Sequence, residues 1–452
     1  MTAPPTIPTR SSRQSSDGWA ARDLRSLWHP FTQQAEWQPL VIVAGEGNYL
    51  IDEHENRYLD GVSSLWANVH GHHHPTIDAA IAQQLGQLAH STLLGLSHPT
   101  AIELAEQLLA IAPVGLSRVF YSDSGSTAVE VALKMAFQFH QHGGKSKRQR
   151  FLALRNAYHG DTLGSVSVGG IELFHRLFSP LLFHTERIEP TLAALDEAFA
   201  HHGHDLAAFV VEPLIQGAAG MLLQPPGFLQ RARQLCDRHG VLLIVDEVAT
   251  GFGRTGKMFA CEHVAISPDF LCIAKGLSGG YLPLAATLTT DAVYQRFLGR
   301  RSEQRAFFHG HTFTGNPLGC AAALASLAVF RQERVLDALP AKIDLLNRVL
   351  DEQLAQHPNV REIRRCGLMI GIELGRNRQQ AFPSELAVGA QVCQRVRGHG
   401  VILRPLGDVV VLMPPLSISD EEIQHLVRVT RLALDEVLVA LAAEKSAEGA
   451  KQ

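Results

Sequence analysis

The residues from Val241 to Val245 form an unbroken apolar run that stops at Asp246 and Glu247 and passes into Ala249 to Gly256, a stretch of small and glycine residues. A strand with one wet face would alternate. A continuous run predicts a strand buried on both faces, as in a parallel sheet. The pattern recurs: Phe270 to Ala274 ends on Lys275 and Gly276, Leu206 to Val211 ends on Glu212-Pro213, Phe151 to Leu154 opens into the polar RNAYHGDT (Arg155 to Thr162), and Leu284 to Leu288 is a further run. Arg118 to Tyr121 reads as a short strand, followed by SDSGST (Ser122 to Thr127) and a helix with Val129, Leu133, Ala136 and Phe137 on one face. Strands alternate with helices throughout this region, which predicts an α/β, doubly wound, mostly parallel sheet.

The flanking regions read differently. Val41 to Gly61 alternates and turns like a small antiparallel meander, with turns at Glu46-Gly47 and Glu55-Asn56. Before it, LWHPFTQQAEW (Leu27 to Trp37) has too many aromatics for a solvated linker and is expected to pack against something. Ser63 to Pro75 reads as a loop, and Ile77 to Leu88 and Ala101 to Ala110 as helices. Beyond Thr314 to Pro317 helices dominate to about Val360, and a small α+β unit follows with strands near Met369 to Leu374, Val401 to Leu403 and Val409 to Met413.

Composition narrows the function classes. With 452 residues, 46% hydrophobic and 19% charged, the chain is an ordinary globular protein of two domains by default. A net charge of -4, with no Lys/Arg stripe beyond Lys145 to Arg150, argues against nucleic acid. The six cysteines lack CxxC spacing and read as reduced thiols. The Pro- and Ser-rich N-terminus has no apolar h-region and no later run reaches membrane-spanning length, so a cytosolic protein without membrane contact is expected. His70, His72, His73 and His74 invite a metal reading, as do His201, His202 and His204; neither group has a carboxylate or cysteine at ligand spacing, so no metal is expected.

Asp246 and Lys275 stand at the carboxyl ends of predicted strands, where open α/β sheets bind ligands. Singly, each has a plain explanation: an Asp caps a loop and a Lys is solvated. Together they match pyridoxal phosphate, whose ring nitrogen needs a carboxylate and whose aldehyde needs a lysine to form a Schiff base. The strand, Gly/Ser turn and helix start at Ser122 to Thr127 would supply a phosphate seat, with Gly125 allowing close backbone approach and Ser124 and Ser126 adding hydroxyls. The same residues also make an ordinary helix cap. The rival reading is a noncatalytic phosphate- or nucleotide-binding α/β protein.

DEVATGFGRTG, IAKGLSGG, DSGSTAVEVALK, NAYHGDT and HTFTGNP together resemble the class III, fold type I pyridoxal phosphate aminotransferases. More narrowly, WHPFT, SSLWANVHGH, ACEH and LRPLGDVVVLMPP resemble the biotin-synthesis branch of that family, which aminates 8-amino-7-oxononanoate. The likeness runs from about Trp28 to Pro415. It implies a large cofactor-binding domain over residues 76–330 and a small domain built from both chain ends (21–75 and 331–440), with disordered ends at 1–20 and 441–452. It also implies that Lys275 is the Schiff-base lysine, that Asp246 pairs with the ring nitrogen, that Val248 and Tyr158 cover the two ring faces, and that Gly125 and Ser126 hold the phosphate. Thr312 would reach the phosphate in the neighbouring subunit, which implies a homodimer with shared sites. Phe31, Leu65, Trp66, Tyr158, Asp161, Gly310 and Arg404 would line the substrate site, Arg404 holding a substrate carboxylate. For Glu212 and Arg254 the choice between active-site proximity and a strand-end salt bridge stays open. An ω-amino acid aminotransferase of the ornithine or 4-aminobutyrate type is the alternative within the family.

Two positions depart from the members that use adenosylmethionine as amino donor. Those typically carry a tyrosine in WHPFT and a second tryptophan in SSLW, where this chain has Phe31 and Leu65. Both departures resemble the lysine-using variant. They remove an aromatic face and a phenol, leaving Asp161 as a carboxylate for the far ammonium of lysine.

Overall fold

A computed structural model describes residues 18–449. Its centre is a seven-stranded sheet in the order Leu116–Ser122, Ala285–Thr290, Phe270–Ile273, Leu242–Asp246, Leu206–Val211, Arg150–Leu154, Thr185–Ile188. The last five are mutually parallel. Alternate residues of each buried strand enter opposite cores: Leu243 and Val245 join one apolar cluster, Leu242 and Ile244 the other. Phe209 and Val211 divide from Ala208 and Val210 in the same way. That two-sided burial is why the sequence shows unbroken apolar runs.

The run expected as one more parallel strand, Leu284 to Leu288, forms Ala285–Thr290 and runs antiparallel to both its neighbours. The 274–284 connection holds a single 3-10 turn, Lys275–Ser278, and is too short for the crossover of about a dozen residues or more that a parallel partner needs.

The meander forms as expected from Ile42–Glu46, Tyr49–Asp52 and Arg57–Asp60. Its last strand pairs with Val401–Ile402, Leu59 opposite Val401, so the two ends of the chain share one sheet. A third sheet orders Val360–Cys366, Met369–Leu374, Val409–Leu412 and Arg404–Leu406. Val360–Cys366 escapes sequence reading because its buried Arg364 is matched by the Glu373 carboxylate, 2.7 Å from both Nη1 and Nη2, where an apolar pair would have given a signal.

Four further expectations change. The disordered arm expected over 1–20 falls outside the described residues as far as 17, and a helix begins at Trp19. The tail expected over 441–452 is helical as far as Gly449, in Asp420–Gly449, with the remainder outside the described residues. Leu27 to Trp37 does little packing on its own chain, with Leu27 60% and Trp28 88% exposed. Ser63–Trp66, expected as loop, is one helical turn of the wrong hand, described below. The six cysteines are free thiols. Among the described residues no helix is long and apolar enough to cross a membrane.

Candidate active site

Because Leu242–Asp246 and Phe270–Ile273 are parallel neighbours, their carboxyl ends open on one edge, and Asp246 lies in register with Cys272. Lys275 follows at once, on the turn that leaves the sheet. Both side chains line a cavity of about 680 Å³ that also takes in Trp66, Gly125, Ser126, Tyr158, Asp161, Val248, His159 and Glu212. Of the residues expected at the site, eight are thus brought together: Lys275, Asp246, Tyr158, Val248, Gly125, Ser126, Trp66 and Asp161.

The floor of the cavity is lined by buried ionisable groups. Asp246 is 4% exposed; its carboxylate accepts the Val248 N–H (3.0 Å) and meets His159 Nδ1 at 2.7 Å. Burial pulls the His159 imidazole down, but the bond to Asp246 and that residue's charge outweigh it, so His159 ends above its ordinary value. Burial lowers the Lys275 amine, with Asp246 and Glu212 opposing. Its Nζ lies 5.1 Å from the Trp66 ring centroid, a cation–π distance. Burial pushes the Glu212 carboxyl up to about 7, although both its oxygens accept backbone N–H groups, from Tyr158 (3.1 Å) and Gly217 (3.0 Å).

Opposite this floor the helix Gly125–His142 begins. Its first N–H groups have no preceding turn to bond to and carry the positive end of the helix dipole. The Ser124 Oγ accepts the Thr127 N–H at 3.3 Å in a capping box. Ser126 Oγ accepts the Thr162 N–H at 3.0 Å. A Cβ on Gly125 would meet Val248 Cγ1 at 2.5 Å, so glycine alone lets this helix start come so close to the Asp246 strand end. A buried amine, a buried carboxylate and an anion-seeking helix start around one cavity fit the three functional ends of pyridoxal phosphate: aldehyde, ring nitrogen and phosphate.

Residues 31–434 match the family model described as aminotransferase class-III. The chain belongs to the class III aminotransferases. Class III aminotransferases depend on pyridoxal phosphate. Among relatives, the adenosylmethionine-8-amino-7-oxononanoate aminotransferase of Nitratidesulfovibrio vulgaris is 54% identical over 95% of this chain and 83% of its own length. The protein of the same name from Geobacter sulfurreducens is 52% identical over 90% and 94%. Among solved structures, the Methanocaldococcus jannaschii protein of that name superposes with a TM-score of 0.91 at 42% identity, covering 92% of this chain and 98% of its own. An ω-transaminase from Pseudomonas jessenii in complex with PMP superposes with a TM-score of 0.88 at 31% identity, covering 93% and 98%.

The other expected residues lie outside the main cavity of this aminotransferase. Phe31 and Arg404 line a second cavity of about 410 Å³, which shares Ala218 with the first. Phe31 is 57% exposed and meets Phe174 edge-on at 5.3 Å. Leu65, Gly310 and Thr312 are on the surface of this chain and line neither cavity. Asp161 is not left without a partner by the phenylalanine at position 31: the Tyr158 hydroxyl donates to it at 2.6 Å. Among the described residues Glu212 and Arg254 make no strand-end salt bridge; Arg254 is 1% exposed and donates from Nη1 to the Pro414 carbonyl at 2.5 Å.

Sequence reading missed His159, although NAYHGDT at a strand's carboxyl end was the available signal. It also missed the backbone beneath Trp66. Ser63, Ser64, Leu65 and Trp66 have φ of 49°, 46°, 71° and 71°, four successive left-handed L-residues. Each costs roughly 1–2 kcal/mol in that conformation, and such strain persists only where neighbouring contacts over-determine it. The tandem histidines serve as hydrogen-bonding groups: His70 reaches Ser326 (3.1 Å), His72 reaches Asp60 (3.0 Å) and His74 reaches Glu333 (2.9 Å).

Glu212 gives this site a pH signature. The folded chain keeps the Glu212 proton up to about pH 7, whereas an unperturbed glutamate, as in the unfolded chain, releases it near 4.5. The folded state therefore binds more protons across that window, so this group's contribution is fully present below about 4.5 and is lost as pH rises through about 7. Glu212→Gln should flatten that part of the stability curve of the cofactor-free chain, followed by urea denaturation from acid to neutral pH. An unchanged slope would mean the proton is not held by Glu212.

Proposed function

We propose that this aminotransferase moves an amino group onto 8-amino-7-oxononanoate to give 7,8-diaminononanoate, a step of biotin synthesis, in the cytosol. The observation that carries the reading is Arg404, half-buried on the wall of a cavity that adjoins the Lys275 cavity at Ala218, where a planar fork can seat the carboxylate at the far end of a long keto acid. The relatives with the highest identities above bear the matching name. The ω-transaminase of Pseudomonas jessenii shares the fold at 31% identity.

When bound, pyridoxal phosphate supplies an aldehyde to carry the amino group and a protonated ring to draw electrons from it. Lys275 Nζ would hold the aldehyde between turnovers and then move the proton that the amino-group transfer shifts; burial, which lowers its basicity, suits it to both tasks. Asp246 would keep the proton on the ring nitrogen, and His159, bonded to it, holds the Asp246 side chain in place. Val248 and Tyr158 would cover the two faces of the ring, and the N–H groups of Gly125 and Ser126 would hold the phosphate. Trp66 and the enclosed floor keep water from the reacting atoms. Thr312 and Gly310, exposed on this chain, serve the cavity of a second copy. Exposed apolar side chains near them, Phe308 (81%) and Phe313 (59%), with Leu94 (90%), support that homodimer.

For the donor we propose lysine. Leu65 and Phe31 offer adenosylmethionine neither a second indole nor a phenol, and Asp161, exposed and bonded by the Tyr158 hydroxyl, keeps lone pairs for a distant ammonium. Adenosylmethionine, which the relatives' names carry, is the alternative. In single-turnover mixing of the holoenzyme with each donor at equal concentration, conversion should be faster with lysine; faster conversion with adenosylmethionine would overturn the donor assignment alone.

The keto substrate has its own test. Arg404→Ala removes a charge-assisted bond worth about 1.5–3 kcal/mol, so the KM for 8-amino-7-oxononanoate should rise about tenfold to a hundredfold while kcat changes little. Unchanged keto-substrate kinetics would place the carboxylate elsewhere.

A further inference from the structure

Four successive left-handed residues, the last of which, Trp66, lines the cavity, need something to hold them, and nearly all of the side-chain bonds that do so converge on one carboxylate that does not itself line the cavity. We propose that Asp60 is a positioning residue of the active site, clamping the left-handed turn Ser63–Trp66 that sets the Trp66 indole beside the Lys275 amine.

Asp60 is 0% exposed. Its Oδ1 accepts the Ser64 N–H at 2.9 Å, and its Oδ2 accepts the Ser64 hydroxyl at 2.7 Å and His72 Nε2 at 3.0 Å. The His72 tautomer follows from its other side: Nδ1 lies 2.8 Å from the Asn68 amide nitrogen, which can only donate, so the imidazole proton sits on Nε2 and points at Asp60. At the first residue of the turn the Ser63 hydroxyl donates to the Met413 carbonyl at 2.6 Å. The turn itself closes through Trp66 N–H to Val62 O (2.8 Å) and Ala67 N–H to Ser63 O (3.0 Å). These contacts over-determine a backbone that L-residues otherwise avoid.

The turn sets the direction of Trp66, because a side chain leaves along the Cα–Cβ bond that its backbone angles fix. With φ of 71°, Trp66 is 5% exposed and its ring lies 5.1 Å from Lys275 Nζ. Relaxed to negative φ, the same residues would carry the indole off that line. Asp60 is also the carboxylate whose charge opposes the burial of Arg254. The charge route and the turn route are separable by glycine, which enters the left-handed region freely and would hold the turn without the clamp.

This proposal rests on the reading of Lys275 and Trp66 given above, but its first readout does not. The chain has four tryptophans. With Trp19, Trp28 and Trp37 replaced by Phe in the full chain, Trp66 is the sole indole, and acrylamide quenching of the cofactor-free protein reports its burial. Asp60→Asn keeps the side-chain size but puts a donor where Oδ2 accepts two. It should raise quenching severalfold and, in the holoenzyme, lower kcat about tenfold with the KM for the keto acid little changed. Ser64→Gly added to Asp60→Asn should restore both, and Ser64→Ala alone, which deletes one bond, should move both in the same direction by a smaller factor.

A loss of thermal stability with quenching and kcat unchanged would overturn the proposal, as would changes that Ser64→Gly fails to reverse. If Asp60→Asn does not fold, Ser64→Ala decides: no shift in either readout would overturn the clamp. Should the cofactor prove to attach elsewhere than Lys275 while quenching responds as stated, the fault lies in the functional reading and not in the clamp.

Discussion

Two ionisable groups buried at one cavity, the Asp246 carboxylate and the Lys275 amine, are the constraint on which the site depends. Taking either out of water is costly unless something compensates it. The compensation is built in layers: the Val248 N–H and His159 on Asp246, and the Trp66 ring over Lys275. Central strands buried on both faces are what place the two groups so deep. An edge strand, solvated along one side, would leave them hydrated and chemically ordinary.

The same burial that makes the site also made much of it legible. A strand flanked by two cores must be apolar throughout, so Asp246 at the end of Val241–Val245 and Lys275 beyond Phe270–Ala274 stood out as polar groups ending apolar runs. Gly125 was legible for a related reason, because a glycine between a strand and a strong amphipathic helix marks close backbone approach. These are local signals, carried by neighbours in sequence.

What stayed hidden depends on partners far apart in the chain. His159 binds Asp246 across 87 positions, and Glu212 is turned toward neutrality by burial that no local pattern reveals. The left-handed turn at Ser63–Trp66 has no glycine to announce it; its hand is imposed by Asp60, His72 and the Met413 carbonyl. Val360–Cys366 hid because an Arg364–Glu373 pair stands in for apolar residues. The antiparallel course of Ala285–Thr290 was decided by the length of a connection and not by the strand's own composition. Trp28 and Phe308 stay 88% and 81% exposed, although the aromatic content around Trp28 pointed to packing.

The central claim is that Lys275 is the group that carries the cofactor against Asp246. It is tested most directly by reducing the pyridoxal-phosphate-loaded enzyme with borohydride, digesting it, and mapping the peptide that bears the label. The account predicts one labelled peptide with the cofactor fixed on Lys275. A label on any other lysine, or on none, would contradict it.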